Sequence, residues 1–182
     1  IQPDDAEAHC ALSFALLNQG KLREGLDEYE WRWRTADFLS QERHFPQPMW
    51  DGSEVLKGRR ILLWGEQGPG DVVMWSSCVS LVASQAKHCI LECQEKLIPL
   101  FTRSFPNIEV KAENRSSDNR RNDFDLHLPM GSLFRHFISE ISNETKLDAF
   151  LIPDPDRVNF WKERLNLLGK KPFIGISWTS PV

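Results

Sequence analysis

The residues best suited to chemistry lie in one short run, Trp64-Gly65-Glu66-Gln67-Gly68-Pro69-Gly70-Asp71. Four apolar residues, Ile61 to Trp64, lead into it, and an apolar helical pattern, Val72, Trp75, Val79 and Val82, leaves it. This predicts a glycine-rich turn between a strand and a helix. Glycines let a backbone approach a ligand closely, and free amides at a helix start favour an anion or a polarised hydroxyl. The spacing of Gly65, Gly68 and Gly70 is G-x-x-G-x-G, which departs from the G-x-G-x-x-G dinucleotide fingerprint. No Lys-Ser or Lys-Thr follows, as a phosphate loop requires. The turn ends in Asp71, whose carboxylate would repel a bound phosphate. Two roles suit Asp71: a helix cap, or a general base that accepts a proton from an attacking hydroxyl. Glu66 and Gln67 either orient an acceptor by hydrogen bonds or complete the turn, and Gly68 and Gly70 bring the backbone to the same place.

The elements that must position this turn are legible from periodicity. From Gly58 the chain alternates strands with helices. Strands are predicted at 59–65, 88–94, 108–113 and 124–128, and helices at 71 to about 84, 97–105, 131–141 and 154–169. Such alternation implies an α/β fold with a parallel, doubly wound sheet. Ligands of these sheets sit beyond the carboxyl ends of the strands. His127, near the end of the fourth strand, and Ser132, in the loop after it, fall there. His127 reads either as a cleft residue or as a satisfied histidine at a strand end. The polar run 113–123 reads as a solvated surface turn, and Asn143-Glu144-Thr145 fits a glycosylation acceptor triplet.

Residues 1–36 form a different region. Two helices are predicted around Gly20, with Asp4 or Asp5 as a cap. His9, Leu12, Ser13, Leu16, Gly25 and Tyr29 follow the tetratricopeptide frame, although a generic helical hairpin fits as well. Residues 37–58 read as a connector. Its Pro46, Pro48 and Gly52 predict extended chain and then a turn. Trp31, Trp33, Phe45 and Trp50 are expected to glue the hairpin to the α/β domain at 59–171. The run 172–178 is predicted as a further strand, which opens a second domain at 172–182.

Composition narrows the function. The 182 residues are 41% hydrophobic and 26% charged, with a net charge of -4 and no large basic block. That speaks against nucleic acid as the main partner. No apolar run approaches the roughly 20 residues that span a bilayer. Cys10, Cys78, Cys89 and Cys93 are scattered among apolar neighbours, as in a reducing, cytoplasmic compartment. On a strand Cys89 and Cys93 stand about 13 Å apart, too far for one metal ion. No metal or cofactor is expected. Beginning at Ile1, the chain reads as a piece of a longer protein.

The hairpin ending in Tyr29-Glu30-Trp31-Arg32-Trp33, the connector 45–52, the block 61–71 and the stretch 124–133 together resemble bacterial proteins that join tetratricopeptide repeats to a glycosyltransferase-like domain. The arrangement is similar to heptosyltransferases and, more distantly, to O-linked N-acetylglucosamine transferases. The resemblance implies two Rossmann-like domains facing across a cleft, an acceptor on the first and a nucleotide-sugar donor on the second. It implies that Asp71, after Gly70, is the catalytic base, with Glu66, Gln67, Gly68, Gly70, His127 and Ser132 near the acceptor. The loop is longer than in heptosyltransferases by Glu66-Gln67-Gly68-Pro69. On this resemblance the chain is the acceptor-side half of an inverting, metal-independent glycosyltransferase, inactive alone, whose acceptor is a sugar or a protein. The other reading is a non-catalytic scaffold that recruits a protein partner through the hairpin.

Overall fold

The computed structural model describes residues 3–39, 41–114, 121–143, 149–169 and 172–176, with 141–143 as backbone only. The chain divides into two compact units, Ile1–Leu151 and Ile152–Val182. Hairpin, connector and sheet therefore belong to one body.

That body opens with α1 (Ala6–Asn18) and α2 (Leu22–Tyr29). The Asp5 carboxylate accepts from the amides of Glu7 and Ala8 at 3.1 and 3.2 Å and so caps α1. Gly20 reverses the chain at φ +75. Gly25 of α2 lies under Leu17, where a Cβ would meet Leu17 Cγ at 2.8 Å. Only glycine permits that approach. The predicted second helix is shorter than expected, because Glu30–Arg34 tighten into a 3-10 turn before the single turn α3 (Ala36–Leu39). There Arg32 is buried, and Trp33 lies 5.7 Å from the Trp64 ring.

The sheet comprises β1 (Arg60–Trp64), β2 (His88–Cys93), β3 (Glu109–Ala112) and β4 (Leu126–Pro129), all parallel in the order β3-β2-β1-β4. Between β1 and β2 lie α4 (Pro69–Trp75) and α5 (Val79–Gln85), and α6 (Ile98–Ser104) joins β2 to β3. After β4 come α7 (Leu133–His136) and α8 (Ile138–Asn143). The protein is thus α/β with a four-stranded parallel sheet, as the alternation of elements requires. The single helix predicted after β1 is broken at Ser76–Cys78. Ser76 and Ser77 hydroxyls donate to the carbonyls of Val73 and Met74 at 2.7 and 3.0 Å, which competes with regular helical bonding.

Strand alternation divides the core into two layers. Ile61, Leu63, Leu91 and Leu128 cluster with Val72, Val79, Phe101 and Leu133 of the helical segments. Leu62, Trp64 and Ile90 face the other way, with Phe124, and meet Trp33 and Phe45. The second face is therefore covered by Trp33 and Phe45, where a doubly wound sheet would place long crossover helices, whereas Trp50 joins the first layer. Trp50 donates its amide to the His127 carbonyl at 2.9 Å, and the His127 amide donates to Pro48 at 3.2 Å. The connector thus runs parallel to β4 through one bridge at Met49. Of the four aromatics expected to glue the hairpin, Trp31 does not. It stacks on His9 at 3.8 Å within the hairpin.

The polar run after β3 falls partly outside the described residues, as do Arg115, Arg120, Glu144 and Thr145. Its described end is not a solvated turn, since Arg121 pairs with the buried Glu92 and with Asp123 at 2.7 Å. In the second unit, Asp154 caps α9 (Pro155–Asn166) and Gly169 ends it at φ +112. The described residues 172–176 show no strand pairing, and 177–182 lie outside the description. No helix among the described residues is long and apolar enough to cross a membrane.

Candidate functional site

The glycine turn begins where β1 ends. The Gly65 amide donates to the Glu92 carbonyl at 2.8 Å and keeps the chain in register with β2. Gln67 then takes φ 62, the only left-handed residue other than glycine among those described. Gly68 caps α4, and Pro69 supplies its first turn. The helix therefore starts two residues before the predicted position, and Asp71 is its third residue. Asp71 Oδ2 accepts from the Gly68 amide at 3.1 Å. No ion pair reaches Asp71 among the described residues. The capping bond is real, and it leaves the rest of the carboxylate at the edge of an open space.

That space is a cleft of about 400 Å³ between the hairpin and the start of α4. Phe14, Leu17 and Leu26 form its hairpin wall, Met74 and Trp75 the opposite wall, and Asp71, Gln67 and Tyr29 its polar rim. Gln67 is fixed twice. Its amide donates to Gln41 Oε1 at 2.9 Å, and its side chain donates to the Tyr29 hydroxyl at 2.6 Å. Gly68 is half-buried and Gly70 exposed, with open space where a Cβ would lie at Gly70.

The remaining predicted site residues are elsewhere. Glu66 is buried, and one of its oxygens takes both Arg32 Nε at 3.1 Å and Arg32 Nη2 at 2.8 Å. The other oxygen, Oε2, has no hydrogen-bond partner. Ser132, also buried, accepts from Arg32 at 3.0 Å and donates to Glu30 at 2.8 Å. A Cβ on Gly131 would stand 2.1 Å from Glu66 Oε1, so glycine there makes room for the carboxylate. Glu66 and Ser132 thus join the hairpin to the α/β unit and do not line the cleft. His127 is likewise a core residue, because Trp64 Nε1 donates to its Nδ1 at 3.2 Å and Phe45 lies 4.8 Å away. Glu66 and Ser132 follow their strands, whereas His127 is the second residue of β4, opposite Leu62, and the side chains of all three turn into the protein.

Electrostatics follows burial. Loss of hydration raises Glu66 to about 7 against the opposing pull of Arg32. Arg32 itself keeps its charge between Glu66 and Glu30. Burial, with Arg43 nearby, lowers His127 to about 4. The buried thiols of Cys89 and Cys93 are pushed up to about 12 by burial, which makes them poor nucleophiles or ligands. No cluster of three or more His, Cys, Asp or Glu side chains suited to a metal occurs among the described residues.

Two buried charge clusters escaped sequence reasoning: Arg32 with Glu66, and Glu92 with Arg43 and Arg121. A signal existed for each. Glu92 is a lone charge inside the apolar strand His88–Cys93, and Arg32 lies in an aromatic run. Buried charges need partners, although their identity cannot be read from the pattern.

Over 98% of its length the chain aligns at 31% identity with Protein FlbA of Caulobacter vibrioides, and it spans 32% of that protein. No protein-family profile matches the chain, and no solved structure matches it.

Proposed function

We propose that this chain is the acceptor-side unit of an inverting, metal-independent glycosyltransferase, in which Asp71 removes the proton of the acceptor hydroxyl. One observation carries the reading: at the carboxyl end of β1, Asp71 borders an open cleft while the Gly68 amide holds one of its oxygens. A general base needs this combination of reach and fixed orientation. The acceptor oxygen attacks the sugar carbon that bears the nucleotide, the diphosphate leaves, and the proton passes to Asp71. The departing charge is met by amides and basic groups of a second lobe. In this reading the α/β unit is a Rossmann-like half, the hairpin is tetratricopeptide-like, and the protein works in the cytoplasm. Apolar walls suit a protein acceptor better than a free sugar, whose hydroxyls would lose their water against hydrocarbon.

The test is transfer from nucleotide sugars by the chain extended with its downstream sequence. Asp71→Asn is expected to lower kcat by about 10²- to 10⁴-fold, and an unchanged kcat removes Asp71 as the base. A scaffold that holds a protein partner without catalysis is favoured by the exposed Phe14 and Met74 at the cleft. Calorimetry that finds no nucleotide-sugar binding by the extended protein would support this second reading.

A further inference from the structure

The cleft is built asymmetrically. Its polar rim comes from the glycine turn, α4 and Tyr29, whereas one whole wall comes from the hairpin. Two large apolar side chains stand at its edge on facing elements: Phe14 of α1, 58% exposed, and Met74 of α4, 52% exposed. Phe14 meets the Tyr29 ring edge-on at 6.2 Å, so the apolar wall leads continuously to the Tyr29 hydroxyl and Asp71.

The charges restrict what can enter. Arg32 also lines the cleft, but Glu66 and Glu30 neutralise it. Asp71 is then the charge of the lining left without an ion pair among the described residues, so an anionic acceptor is disfavoured and a neutral or cationic one fits. The hydrogen-bonding groups add a second restriction. The Tyr29 hydroxyl accepts from Gln67 and retains its own proton to donate, and the Gln67 carbonyl oxygen and Asp71 accept. One donor beside two acceptors matches a peptide group with a hydroxyl next to it.

We infer that the hairpin wall sets acceptor specificity: the cleft takes a hydroxyl residue whose neighbour in the peptide carries a bulky apolar side chain, which lies between Phe14, Leu17 and Met74 while the hydroxyl meets Asp71. This rests on the reading of Asp71 as the base. It makes the hairpin part of the acceptor site and not a separate recruiting arm, and Phe14 becomes a specificity residue that needs no chemistry of its own.

Three acetylated, amidated tripeptides test it by titration of the full chain: phenylalanine-serine-glycine, glycine-serine-glycine and phenylalanine-alanine-glycine. The first is expected to bind roughly tenfold more tightly than the second, the difference from burying one aromatic side chain in part. Phe14→Ala is expected to erase that preference, so that the phenylalanine and glycine serine peptides bind alike. Phe14 is more than half exposed, so the variant should fold, and its circular dichroism checks this. Asp71→Asn is expected to weaken the serine peptides and leave phenylalanine-alanine-glycine unaffected. Equal binding of all three peptides, no binding of any, or a preference that survives in Phe14→Ala overturns the inference. The two readings fail separately. A lost peptide preference with transfer still dependent on Asp71 sinks the hairpin wall alone, whereas full transfer by Asp71→Asn sinks the base.

Discussion

Two buried glutamates near the carboxyl ends of neighbouring strands have opposite circumstances. Glu92, the fifth residue of β2, is matched on both oxygens: Arg43 meets Oε2 at 2.7 Å, and Arg121 meets Oε1. Glu66, two residues past β1, is matched on one oxygen by Arg32, which also serves Glu30, and its other oxygen has no partner. Glu92 locks the connector onto the sheet through Arg43, and Arg121, shared with Asp123, takes its other oxygen, so two positive charges meet two negatives. Glu66 locks the hairpin with one positive charge for two negatives. A buried ion is tolerated in proportion to how completely it is paired and hydrogen-bonded, so the first joint should be rigid and the second sensitive to protons and to small steric changes. The second joint is the one that carries Gln67 and Asp71.

The largest expected effect is at Glu92. Glu92→Ala leaves Arg43 without a carboxylate among the described residues and Arg121 with Asp123 alone, beside a buried void, and should cost about 3–5 kcal/mol in urea unfolding. Glu66→Ala should cost less, about 1–3 kcal/mol, because Arg32 retains Glu30 and an orphan oxygen disappears. Equal losses would erase the contrast. Gly131→Ala comes next. It forces a methyl against Glu66 Oε1 and should destabilise by about 1–3 kcal/mol. Most of that loss should vanish in the Glu66→Ala background, because the two residues are in contact.

The pH effects of Glu66 and His127 are opposite in sign. Glu66 is raised from 4.5 to about 7, so between those values the folded state holds a proton that the unfolded chain has released. Its contribution to stability is full below 4.5 and is lost as the pH rises to about 7. Glu66→Gln should flatten this part of the stability profile while retaining a carbonyl for Arg32. His127 is lowered from 6.5 to about 4. Its contribution is full above 6.5 and is lost as the pH falls through about 4, and His127→Phe should remove that acid limb. Unfolding midpoints measured across pH 4 to 8 check both.

Much of the scaffold was readable in advance because its signals are local. Runs such as Ile61-Leu62-Leu63-Trp64 can only be buried strand, and Asp154-Pro155 can only begin a helix. The break at Ser76–Cys78 was missed because serine hydroxyls bonding back to their own helix leave the apolar spacing intact. The predicted site residues divide into two groups by where their side chains lie. Gln67 and Asp71 line the cleft, because a glycine turn after a parallel strand must sit at the sheet's carboxyl edge. Glu66 and Ser132 share that edge, but their side chains found protein partners, and His127 lies inside β4 opposite Leu62.

The sequence by itself determined the order of strands and helices, the glycine turn and the aspartate at its end, because periodicity and turn chemistry act over a few residues. Only the tertiary structure decided which charges are buried together and what forms the cleft. Arg32 meets Glu66 across 34 residues and Ser132 across 100. Contacts at such separations depend on the whole chain's packing, to which no local pattern is sensitive.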